Sequence, residues 1–221
     1  MKSNDILLKM AAIVLLAVAC HRATAESLTI PVGRFSLGKL DEWEAKVFAG
    51  DTRYTLVEQG GRRVLKAESR AAASGLVREI RVDLNETPFL NWSWRIENTL
   101  DGLDEQTKQG DDYPARIYVV VSGGLAFWRT RAINYVWANR LPQGFEWPNA
   151  FAGDNAMMVA VRSGDAQARQ WVREKRDVRA DLRRFFGDDI RYIDAVALMT
   201  DTDNSQQQAA AYYGDIFFSE K

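Results

Sequence analysis

Cysteine and histidine are almost missing from this 221-residue chain: each occurs once, as the neighbours Cys20 and His21. Both fall in or beside an N-terminal stretch that has the form of an export signal. Lys2 and Lys9 flank its start, Met10 to Ala19 is an apolar run too short to span a bilayer, and Ala23-Thr24-Ala25 has the small-x-small form that signal peptidase accepts. The expected processing removes residues 1–25 and leaves a single domain over 26–221. The alternative is a loose lipobox, Leu16-Ala17-Val18-Ala19-Cys20, which would make Cys20 a lipidated first residue and anchor the chain to a membrane. By either route the expected location is periplasmic or secreted. A mature chain starting at Glu26 has no thiol and no imidazole. That excludes disulfides, Cys or His zinc sites, thiolate nucleophiles and His-dependent triads together. Chemistry would have to run on Asp, Glu, Tyr, Lys, Arg or Ser, and a metal would take oxygen ligands.

An excess of charge of either sign is also lacking. There are 29 Lys and Arg against 30 Asp and Glu, a net charge of −1, with the two signs interspersed. No basic face is available for nucleic acid, so nucleic-acid binding is not expected. What the chain has in surplus is aromatic residues, with seven Trp, seven Tyr and ten Phe. These can fill a large core and leave rings for a surface.

Most of the sequence after residue 26 reads as short strands. Tyr54–Glu58 and Arg63–Ser69 flank Gly60-Gly61 as a hairpin. Ser74–Val82 alternates with mixed faces, as expected near a sheet edge. Leu90, Trp92, Trp94 and Ile96 share one face of a strand, and the apolar company of the two Trp marks that face as core. Residues 98–112 have no apolar period and read as a long exposed loop. Arg116–Val121 is apolar on both faces, which predicts a central strand. Ala156–Arg162 and Trp171–Arg176 read as two further strands. Asp177 as an N-cap, the helical spacing of Val178, Leu182, Phe185 and Phe186, and Gly187 as a stop predict one short helix. The sum is an all-β jelly-roll β-sandwich of about ten strands with one short helix.

Two regions carry candidate chemistry. Phe127, Trp128, Tyr135, Trp137, Phe145, Trp147 and Phe151 lie among Asn and Arg, the ingredients of sugar recognition by ring stacking and planar hydrogen bonding, and equally of loop packing. Trp128, Tyr135, Trp137 and Trp147 are the candidate stacking surfaces, with Asp111, Asp112 and Arg116 as polar contacts. At the C-terminal end, Asp201, Asp203 and Asn204 sit between two strand-like segments, where they either cap a turn or collect a hard cation. Asp215 is an acid inside an aromatic and aliphatic strand and needs a partner if it faces a core. Asp201, Asp203 and Asp215 are therefore the candidate metal ligands, and Ca²⁺ the candidate cofactor.

Trp43 after a Gly, the Gly60-Gly61 hairpin ahead of Lys66-Ala67-Glu68-Ser69, and the closing Tyr212-Tyr213-Gly214-Asp215-Ile216 resemble galactose-binding-like jelly rolls and carbohydrate-binding modules. That resemblance implies a last-strand acid, here Asp215, on a structural Ca²⁺. The blocks Asp111–Val121 (DDYPARIYVVV), Ile133–Asn139 (INYVWAN), Met199–Asn204 (MTDTDN) and Ala211–Phe218 (AYYGDIFF) resemble an exported bacterial family of unknown function, which brings no activity with it. Three readings follow. The first is a noncatalytic carbohydrate-binding protein whose partner is a glycan or a cell-envelope component. The second is a glycan-active hydrolase or lyase working through Asp, Tyr and Arg. The third is a structural envelope protein in which the Trp are core and the Asp are turns.

Overall fold

A computed structural model describes residues 27–221, the side chain of Phe127 excepted. The candidate signal and Cys20 lie outside the described residues. The strands in chain order are β1 (Thr29–Gly33), β2 (Glu44–Ala49), β3 (Arg53–Gln59), β4 (Arg62–Arg70), β5 (Ala73–Asp83), β6 (Phe89–Ile96) and β7 (Ala115–Val121). They continue with β8 (Arg131–Ala138), β9 (Glu146–Asn149), β10 (Gly153–Ser163), β11 (Val172–Asp177), β12 (Tyr192–Asp201), β13 (Gln208–Tyr213) and β14 (Ile216–Ser219). One α-helix, α1 (Val178–Phe186), precedes β12. The fold is the expected all-β sandwich of jelly-roll type, with fourteen strands among the described residues where about ten were expected.

Two seven-stranded sheets face each other. In the first, β6 pairs on one side with β11 and on the other with both β13 and β14. Beyond those, β13 pairs with β4 and β14 with β1, and β3 closes the edge beside β4. The second sheet runs β2-β5-β12-β7-β8-β10-β9. β7 is its central strand, as the two-sided apolar run predicts, and β5 lies one in from the edge.

The sheets are joined by rings. Trp92 of β6 stacks on Tyr135 of β8 at 5.5 Å, and Trp94 meets Trp137 at 5.9 Å. Leu90, Ile96, Ile117, Val119, Ile133, Val196 and Leu198 fill the space around them. Helix α1 closes one end of this core with Val178 and Leu182. Its start is fixed by Asp177 Oδ1, which accepts from the Ala180 amide at 2.9 Å, and its end by Gly187 in the left-handed region. The β3–β4 hairpin turns through Gly60 and Gly61, both at positive φ.

Two expectations are corrected. Residues 98–112 do not form an exposed loop: Leu100, Leu103, Glu105, Asp111 and Asp112 are all buried. Glu105, 2% exposed, anchors the segment, its carboxylate accepting from the amides of Asn139 (2.7 Å), Arg140 (2.9 Å) and Leu141 (2.9 Å). The final aromatic strand is also not continuous. β13 and β14 run end to end along β6, but the pairs Tyr213↔Trp94 and Phe217↔Asn91 leave one extra residue between them, a bulge at Gly214-Asp215. A side chain at Gly214 would begin 2.2 Å from Ser93 Oγ, so any other residue there would force that hydroxyl aside.

Candidate functional site

Strand alternation sets the chemistry of the second sheet. Ile117 and Val119 of β7, and Ile133, Tyr135 and Trp137 of β8, point into the core. Arg116, Tyr118, Asn134 and Val136 therefore point to the other side. The register puts Tyr118 beside Asn134 on β8 and Ala197 on β12, and Asn134 beside Met158 on β10. Around this row the same face carries small residues, among them Gly75, Ala132, Ala195 and Ala156. The segment 98–112 folds over one side of it, bringing Asp111 onto Asn149 at the end of β9.

Arg116 is the charged centre of this face and is only 5% exposed. Its Nη2 donates to Asp201 Oδ2, and its Nη1 lies 3.5 Å from Asp111 Oδ2. The guanidinium also lies over the rings of Tyr113 (5.2 Å) and Tyr118 (5.4 Å). Burial works against its charge, but Asp201, Tyr118 and Asp111 hold its pKa above the ordinary arginine value. Asp111 accepts from Asn149 Nδ2 at 3.2 Å. Burial nevertheless pushes its carboxyl up against the pull of Arg116.

Asp112 faces the other way from Asp111. Its oxygens accept from the Ser205 amide (2.6 Å), the Asn204 amide (3.3 Å) and Asn204 Nδ2 (3.1 Å), so it caps the turn after β12. That turn brings Asp203 back, and one oxygen each of Asp112, Asp201 and Asp203 lies within 4.8 Å of the others. Burial pushes Asp201 upward, with Asp112 and Asp111 adding to the effect against Arg116. Asp203 is raised by burial and then by Asp112. Four carboxylates thus crowd one guanidinium. The three Asp could hold a metal ion, and an all-carboxylate donor set suits a hard cation.

The sequence-selected residues separate into three groups. Asp111, Asp112, Arg116, Asp201 and Asp203 come together. Asp215 does not join them: the bulge turns it to the Ser36 amide (2.8 Å) and hydroxyl, so Asp112 stands where Asp215 was expected. Tyr135 and Trp137 are fully buried between the sheets, and Trp147 is buried with its Nε1 donating to the Glu105 carbonyl at 3.1 Å. A ring enclosed on both faces cannot stack on a ligand, so these three are core residues. Trp128 remains, 64% exposed in the turn between β7 and β8 at one end of the face. Phe151 is exposed too, beside Lys108. Tyr118, Asn134 and Asn149 do not stand out as site residues in any single strand. Their shared face depends on which strands pair, although the outward parity of Tyr118 and Asn134 against Ile117 and Ile133 was available.

Residues 41–217 match the family described as "Protein of unknown function (DUF3047)". The chain belongs to that family. Comparison with curated proteins finds no match. Among solved structures the chain is similar to a meso-active thermo-stable cellulase derived from Cel12A of Rhodothermus marinus, at 9% identity and a TM-score of 0.47, over 86% of this chain and 100% of that one. It is also similar to a lectin from Bauhinia forficata in complex with GalNAc, at 12% identity and a TM-score of 0.42, over 88% and 98%. A third is a family 29 carbohydrate-binding module mutant complexed with mannohexaose, at 10% identity and a TM-score of 0.42, over 88% and 93%. Superpositions this loose carry no argument about function.

Proposed function

We propose that this is an exported, noncatalytic carbohydrate-binding protein whose ligand lies on the outward face of β12, β7 and β8, steadied by a structural Ca²⁺ at Asp112, Asp201 and Asp203. The observation that carries the reading is the composition of that face. A phenol, two amides, a guanidinium and a carboxylate, from Tyr118, Asn134, Asn149, Arg116 and Asp111, adjoin a floor of small residues, with an exposed indole at Trp128. Planar polar groups beside a ring suit a polyhydroxylated ligand. The noncatalytic part rests on the engagement of the carboxylates. Asp111 is held by Arg116 and Asn149 and Asp112 by its turn, which leaves neither placed as an unencumbered acid or base.

The test is the thermal midpoint of residues 26–221 across a panel of soluble glycans, with EGTA and with millimolar Ca²⁺. A ligand at a hundred times its dissociation constant stabilises the folded state by about 2.7 kcal/mol. At least one glycan should raise the midpoint, and Tyr118→Ala should abolish the effect. A panel in which no glycan moves the melt, with or without Ca²⁺, overturns the reading.

A further inference from the structure

The two signs of charge are interspersed along the chain, but strand alternation sorts them on the first sheet. Leu65 and Ala67 of β4, Trp92 and Trp94 of β6, and Ala211 and Tyr213 of β13 belong to the core, and Val172 of β11 packs against it. The residues between them point out: Arg62, Lys66 and Arg70 from β4, Arg95 from β6, and Arg173 and Lys175 from β11. Arg53 joins them from β3, opposite Glu68. The acids on these outward positions are Glu68, Glu97 just past β6, and Asp177, which caps α1. Cations outnumber carboxylates here, whereas on the second sheet Asp111, Asp112, Asp201 and Asp203 surround Arg116. The two outer faces of the sandwich therefore attract ligands of opposite charge.

A single row crosses the basic face. Lys66 of β4 is the partner of Tyr212 on β13, and Tyr212 that of Arg95 on β6. Lys66 Nζ lies 6.0 Å and the Arg95 guanidinium 5.2 Å from the centre of the Tyr212 ring, so the phenol holds the two cations in line. Trp171 takes the next place. It stands one residue before the pair Val172↔Trp94, next to Arg95, and is 40% exposed. With strands about 4.8 Å apart, the row from Lys66 to Trp171 covers roughly 14 Å. Lys66 is held by Glu68 (2.8 Å) and Arg95 by Glu97 (2.9 Å), yet an ammonium with three donors and a guanidinium with five keep donors for a ligand. Beside the row an open cleft of about 400 Å³ is lined by Arg53, Glu68, Arg70, Asn98 and Gln208. Arg70 has no acid partner among the described residues.

We propose that this row is a second binding surface, for an acidic glycan whose sugar rings carry carboxylates. Trp171 takes the apolar face of one ring, Arg95 the carboxylate of that ring, and Lys66 a carboxylate further along the ligand. One strand spacing separates Trp171 from Arg95, which suits a sugar whose acid is borne on the ring that stacks. A nucleotide places its ribose between base and phosphate, and Tyr212, flanked by two cations, offers no second platform for a base. This surface is separate from the glycan face on the second sheet, and its test does not depend on that face.

The experiment is calorimetric titration of the wild-type protein with oligogalacturonate, with the same oligomer after reduction of its carboxyls to neutral alcohols, and with single-stranded DNA of equal charge. Oligogalacturonate is expected to bind, more weakly as salt is raised, and more tightly than the DNA. The reduced oligomer should displace it only at concentrations higher by about tenfold or more, a result that needs no variant. Arg95→Gln and Trp171→Ala should each weaken oligogalacturonate by about tenfold, with the melting midpoint close to that of the wild type. Absence of oligogalacturonate binding overturns the proposal, as does a reduced oligomer that competes on equal terms, wild-type affinity in both variants, or a preference for DNA. A neutral glycan that both variants bind as the wild type does leaves the second-sheet reading in place, and that reading fails separately when no neutral sugar binds.

Discussion

Arg116 and Asp201 meet diagonally across the β7–β12 pair, the guanidinium 5% exposed and the carboxylate 1% exposed, with Tyr113 donating its amide to the second carboxylate oxygen at 3.4 Å. The segment before β7 and the turn after β12 both depend on this contact. Replacing one partner leaves the other as an uncompensated buried charge, which costs about 3–5 kcal/mol. Arg116→Met is therefore expected to lower stability to urea by about that amount, with Asp111 adding to the strain. A loss below about 1 kcal/mol would show that the pair is solvated in solution.

The acidic triad separates two ligand sets. With Asp112, Asp201 and Asp203 as the ligands, Asp203→Asn should abolish a Ca²⁺-dependent rise in the thermal midpoint. Asp215→Asn should preserve that rise and only weaken the Ser36 contact. The opposite pattern would restore Asp215 as a ligand. A melt insensitive to Ca²⁺ in the wild type would leave the cluster as a turn.

Burial divides the tryptophans in a way that truncation reads directly. Trp147→Ala removes a buried ring and the donor to the Glu105 carbonyl, and is expected to cost about 3–5 kcal/mol. Trp128→Ala, at an exposed turn, should change stability by about 0.5 kcal/mol or less. Equal losses in chemical denaturation would contradict the assignment of Trp147 to the interior.

Five of the seven tyrosines should resist alkali. Burial pushes the phenols of Tyr54, Tyr113, Tyr118, Tyr135 and Tyr213 up. A phenol with a raised folded-state pKa contributes stability that is full below the unfolded value of about 10 and is lost as pH rises above it. Tyrosinate absorbance should therefore rise only partly above pH 10, and the remainder should appear together with loss of tertiary structure. A smooth titration of all seven in the folded protein would refute this.

Local pattern carried much of the fold. Helix α1 was legible from Asp177 to Gly187 because capping and helical spacing are short-range physics, and β6 was legible from its four apolar positions. The central place of β7 followed from apolar residues on both faces. The candidate site was only half legible. Its acids and Arg116 were visible as residue types, but Asn149 and Tyr118 join them through pairings between strands remote in sequence. Tyr135 and Trp137, read from the sequence as stacking surfaces, are core residues, and the strand face they share with Ile133 is the local sign of it. The misplacement of Asp215 had a visible cause as well: Gly214, beside it, is a residue that often marks a bulge within a strand. Glu105 was hidden because its partners are backbone amides of residues 139–141, which leave no mark on side-chain chemistry.

The bulge at Gly214-Asp215 also orders events in time. Because β14 lies between β6 and β1, the first described strand has no partner along its length until residues 216–219 arrive. Loss of those few residues would open a seam through the interior of the first sheet rather than fray its margin. A nascent chain can assemble the hairpin of β3 and β4 early, yet β1 is held only after residues 216–219 have followed.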